Sequence, residues 1–236
     1  MAKIEGIPFI ASGRFRQGRR GHAPTLVVIH WSAGWGDADD IGNYFVNPMS
    51  VVWVLDKDGN PVLDEQGKPK TIKKPRQASY HFAIGRDGKM VQLVDTVNTA
   101  WHAGGGVDFD GKRLINERSI GICLANRGPL YKDPKWTATH PDRVFHGKHS
   151  KPGFDGYGDK FEEYTEAQFT TLKELLHTLV ALHPTLAFVI GHEDVTKGKG
   201  DPGPQFAEVA MDWGSLGLVR RIKCWQTKEW YDLGAL

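Results

Sequence analysis

The chain has 236 residues, 40% hydrophobic and 25% charged, with a formal net charge of +2. That length suits one large domain with a sizeable core, and so mild a charge leaves no electrostatic footprint for nucleic acid. Two cysteines make no disulfide framework, and no run approaches the ~18 apolar residues of a membrane-spanning helix.

The N-terminal stretch, residues 1–24, lacks the apolar centre of a signal peptide and reads as an extension. TLVVIH (25–30) is a buried strand ending in His30, and DDIGNYFV (39–46) is a short helix stopped by Asn47-Pro48. Residues 51–77 carry turn pairs at Asp58-Gly59 and Gln66-Gly67 among lysines, the pattern of exposed hairpins. SYHFAIGRDGKMVQLVD (79–95) reads as two strands about the turn Arg86-Asp87-Gly88-Lys89. WHAGGG (101–106) is a glycine-rich loop and SIGICLA (119–125) another buried strand, with Cys123 in the core.

Residues 127–162 read as a long polar insertion, and its histidines His140, His146 and His149 as solvated loop residues. The spacing predicts the best helix of the chain over 165–184. Thr165 and Gln168 form its capping box, and Leu172, Leu175, Leu176 and Leu179 lie on one stripe. LAFVI then leads into GHEDVTKGKGDPGP (191–204), and the tail 214–236 is expected to pack on the domain, partly as helix. No internal repeat is evident. Alternating strands and helices imply an α/β fold with a central mixed β-sheet flanked by helices.

His30 and His192 both follow apolar runs, so both can point into one cleft beyond the strand ends. With Asp201 they offer two imidazoles and a carboxylate, a set that suits zinc and leaves a fourth position for water. A zinc hydrolase is the chemistry these residues point to.

Four separated segments, VVIHWSAG, SYHFAIGRDG, AWHAG with SIGICLANRG, and GHEDVTKGKGDPGP, stand in one order. Together they resemble the zinc-dependent N-acetylmuramoyl-L-alanine amidases, which share the peptidoglycan recognition protein fold and include phage lysozyme-amidases. The resemblance covers about residues 25–213. It implies one zinc ion on His30, His192 and Asp201, and catalytic assistance from Tyr80 and Lys199. His102, Trp31 and Trp101 are expected to contact substrate. The aspartate-ligand branch often carries a glutamate where Cys123 stands, which shifts weight to Tyr80 and Lys199.

The implied reaction is hydrolysis of the amide joining N-acetylmuramic acid to L-alanine. The expected setting is a monomeric phage or prophage endolysin, made in the cytoplasm and acting on the cell wall after release or delivery. Two other readings stand beside it: a cytoplasmic recycling amidase for anhydro-muropeptides, and a non-catalytic peptidoglycan-binding module. Loss of a metal ligand marks the last, whereas all three candidate ligands are present here.

Overall fold

The computed structural model describes residues 3–47, 49–75, 77–104, 109–131, 134–149, 157–208, 211–223 and 227–233. Its frame is a seven-stranded sheet. The strands are β1 (Leu26–Trp31), β2 (Phe82–Ile84), β3 (Met90–Gln92), β4 (Ser119–Leu124), β5 (Phe188–Gly191), β6 (Val219–Lys223) and β7 (Trp230–Leu233). Their spatial order is β7-β6-β5-β1-β4-β2-β3. The five inner strands run parallel, and the edge strands β3 and β7 pair antiparallel.

Parallel strands buried on both faces read as continuous apolar runs, and LVVIHW and SIGICL are almost wholly buried. Alternation along them assigns the faces. Val27, Ile29, Ile120, Ile122 and Leu124 meet helix α2 (Glu166–Leu182) through Leu172, Leu175, Leu176 and Leu179. Thr165 caps that helix by accepting from the Gln168 backbone N–H at 3.1 Å, and the Gln168 side chain accepts from the Thr165 N–H. On the opposite face, helix α1 (Ala38–Val46) lays Ala38, Ile41 and Phe45 over Ala83, Cys123 and Val91.

Several expectations change. The tail is not helical but supplies β6 and β7, so the described part of 214–236 completes the central sheet. Residues 3–24 are also woven in: Ile10 and Ser12 bond to the β3 region, and Phe15–Arg16 pairs with Thr99–Ala100. Residues 51–77 do form a hairpin, Met49–Trp53 against Thr71–Pro75. Between its arms lies a short tandem repeat that the linear reading missed, LDKDGNPV followed by LDEQGKPK. In each unit an aspartate, Asp56 or Asp64, accepts two backbone N–H groups at 2.9 Å, and Gly59 or Gly67 takes a positive φ. The second insertion is structured too, with a helix at Pro134–Thr139 and a strand pair Val144–His146/Lys160–Glu162. Trp225 of the tail lies outside the described residues. No helix among the described residues is long and apolar enough to cross a membrane.

Candidate metal centre and cleft

Strand register builds the centre. Gly191 ends β5 opposite Ile29, so His192, the next residue, arrives beside His30. The His192–Val195 segment then turns away as a single helical turn whose start is held by Asp194. Asp194 accepts from the Gly191 N–H at 2.6 Å and from Arg220 at 3.1 Å, so the nearer carboxylate serves the backbone. The chain loops back to place Asp201, pinned by a 2.7 Å bond from the Glu193 N–H to the Asp201 carbonyl.

Asp201 Oδ2 lies 3.1 Å from His30 Nδ1 and 3.0 Å from His192 Nδ1. The three side chains are buried, and their ligand atoms all fall within 4.8 Å of one another. Burial first, and His192 second, hold His30 down at about 4, so its ring is neutral at pH 7. Burial opposes ionisation of Asp201, but the two histidines outweigh it and keep the carboxyl well below the usual range. Two imidazole nitrogens converging on a carboxylate make a donor set that fits a divalent cation such as zinc.

Tyr80 stands next to the centre, its ring 4.9 Å from that of His30. Burial pushes its phenol well above the ordinary value, and the Cys123 thiol is its side-chain partner. It is therefore a donor at neutral pH and not a base. Cys123 sits opposite His30 in the sheet register, and burial raises its thiol as well. Lys199 is exposed on the metal loop, close enough that its charge helps depress His30. A cleft of about 410 Å³ opens beside Tyr80, lined by Ala33, Gly34, Asp40, Ile41, Tyr44 and Phe45 among others.

The three expected substrate contacts are not among the residues lining this cleft. His102 is buried beside His30, with its ring against Gly121. Trp31 falls on the sheet face opposite His30 and wedges between Gly128 and Gly203, where an added Cβ would approach its ring to 2.9 and 2.6 Å. It packs the metal loop against the rest of the domain. Trp101 is half-buried beneath the Arg16 guanidinium at 5.3 Å.

Two supports were missed. His149, expected in solvent, is buried with Nε2 2.7 Å from Glu193 Oε2 and 2.9 Å from the Gly200 carbonyl, which ties the second insertion to the metal loop. Arg86 donates to the carbonyls of Gly34, Trp35 and Gly36 along the cleft rim while its fork grips the buried Glu162 at 2.7 and 3.0 Å. The Arg86 turn was legible; its partner 76 residues away was not.

Residues 20–204 match the N-acetylmuramoyl-L-alanine amidase family. The chain is similar to the 1,6-anhydro-N-acetylmuramyl-L-alanine amidase AmpD of Enterobacter cloacae, at 32% identity over 200 residues, 80% of this chain and 77% of that one. It is similar to AmpD of Escherichia coli (strain K12) at 30% over 206 residues, 83% and 82% of the two chains. A solved structure of a selenomethionine AmpD derivative shares the fold at a TM-score of 0.55 and 23% identity, covering 91% of this chain and 94% of that one. The family match runs from ahead of His30 through Asp201 and so takes in the entire centre: the chain belongs to the N-acetylmuramoyl-L-alanine amidase family.

Proposed function

We propose that this protein hydrolyses the amide between the lactyl group of N-acetylmuramic acid and L-alanine, with one zinc ion held by His30, His192 and Asp201. The observation that carries the reading is the convergence of His30 Nδ1, His192 Nδ1 and the Asp201 carboxylate beside an open cleft. When bound, zinc supplies Lewis acidity, bringing water's pKa towards ~7 and polarising the scissile carbonyl.

The chain's own residues do the rest. Two neutral imidazoles and one carboxylate leave a dication's site with a net positive charge. The protonated Tyr80 hydroxyl, free to rotate about its C–O bond, can turn from Cys123 to donate to the oxyanion that develops on the carbonyl. Lys199 adds a positive charge at the mouth of the site. The cleft beside Tyr80, with Ile41, Tyr44 and Phe45, receives the substrate next to the reacting bond.

For substrate, we favour soluble anhydro-muropeptides over polymeric wall. The relatives quoted above are named for 1,6-anhydro-N-acetylmuramyl-L-alanine and align over about four fifths of the chain. The recycling reading therefore replaces the endolysin reading as the leading one. The test offers both substrates to the purified protein and assays new L-alanine amino termini and new reducing ends. Faster release from anhydro-muropeptide, with no new reducing ends, is the expected result. Equal or faster cleavage of polymer would restore the endolysin assignment, and binding of polymer without cleavage would point to a recognition module.

A further inference from the structure

His30 has two ring nitrogens, and only Nδ1 faces Asp201 and His192. Its Nε2 points the other way and lies 3.0 Å from His102 Nδ1. His102 Nε2 lies 3.1 Å from Ser119 Oγ, and Ser119 Oγ lies 2.5 Å from the Ile115 carbonyl oxygen. Every side chain of this row is buried, on the same sheet face as His30.

The protons of the row can be placed from one end. A carbonyl only accepts, so the single Ser119 hydroxyl proton goes to Ile115. Ser119 can then only accept from His102, which puts the His102 proton on Nε2. The His102 ring is buried against His30, His81 and Gly121, where a second proton would be a buried charge with no counter-ion among these contacts, so the ring holds one proton and its Nδ1 is bare. His30 must therefore donate from Nε2, and its Nδ1 lone pair is left pointing at Asp201 and His192.

We propose that His102 is a positioning residue for His30: anchored through Ser119 on the Ile115 carbonyl, it fixes the His30 tautomer that presents Nδ1 to the metal. The chain is built to hold His102 there. Its backbone N–H and that of Ala103 both donate to Asn116 Oδ1, at 3.0 and 2.8 Å. Position 121 is glycine, and an added Cβ would stand 2.5 Å from the His102 ring. Partners of this kind typically change metal affinity 10–100-fold.

The inference rests on the metal reading of His30, His192 and Asp201, and the experiment separates the two. Zinc affinity of the full chain is measured by competition with a chromogenic chelator for wild type, His30→Ala, His102→Leu, His102→Asn and Ser119→Ala, with fold checked by circular dichroism. His102→Leu should bind zinc about 10–100-fold more weakly. His102→Asn, whose Oδ1 can stand in for Nδ1 as acceptor, should stay near wild type, and Ser119→Ala should fall between. Nitrogen-15 spectra of the metal-free wild type should show the His30 ring protonated at Nε2. Wild type without zinc affinity, or His30→Ala with undiminished affinity, overturns the metal reading itself. Zinc binding lost in His30→Ala but intact in His102→Leu, or a His30 ring protonated at Nδ1, overturns the positioning role alone. Should His102→Leu not fold, Ser119→Ala and the wild-type spectrum decide.

Discussion

His30 and Tyr80 lie side by side, and one physical demand, burial, fits them for different roles. Burial keeps the imidazole neutral and so available as a ligand; it also keeps the phenol protonated and so available as a donor. Tyr80→Phe should keep the zinc affinity of the wild type and lower kcat by about 10²–10³, the usual cost of one lost oxyanion donor. Unchanged turnover would assign Tyr80 to packing against Phe45, whose ring it meets at 5.0 Å. Lys199→Met should lower kcat with metal retained, and unchanged kcat would make it a solvated loop lysine. The convergence of His30, His192 and Asp201 was readable from local settings: an apolar strand for His30, a glycine-rich loop for the other two. His102 lies deeper than its sequence suggests, for a physical reason. Its loop context suggests exposure, whereas its burial depends on Gly121 and Ser119 of a different strand.

At the scale of elements, the sequence reads well where periodicity and caps act locally. Helix α2 and the β2–β3 hairpin fall where spacing and the Thr165 cap put them. It reads badly where partners are distant. Strands β6 and β7 look like a tail because VRRIK and WYDL lack the apolar run of the central strands: β7 is an edge strand, and β6 beside it is only partly buried. The cleft rim shows the same limit, since Arg86 joins it to Glu162 of the second insertion. Arg86→Lys keeps the charge but loses the planar fork that reaches three carbonyls and a carboxylate at once. Its expected effect is a lower Tm and a KM raised about tenfold, equivalent to ~1.4 kcal/mol, with zinc affinity unaltered. Wild-type KM and Tm would show that the rim holds its shape without Arg86.

Across the whole molecule, the sheet buries an unusual row of histidines. His30, His81 and His102 are all held below their ordinary values, with burial the largest cause in each. In the unfolded chain they titrate near 6.5. Between that value and the lower folded ones the unfolded state binds more protons, so stability falls as pH falls. The contribution is complete above about 6.5 and is lost towards about 4 in the case of His30. Metal-free protein should thus show a Tm that is flat above neutrality and drops steeply between pH 6.5 and pH 4. A Tm independent of pH across that window would mean that these histidines are not neutral in the fold.

The central claim is that three buried side chains form a zinc centre that the amidase needs. The most direct measurement removes metal from the protein with a chelator and adds zinc back stepwise, following bound metal and new L-alanine amino termini together. Activity should vanish with the metal and return in proportion until one zinc is bound per chain, while His30→Ala recovers neither. Full activity in the metal-free protein, or zinc and activity both retained in His30→Ala, would contradict the account.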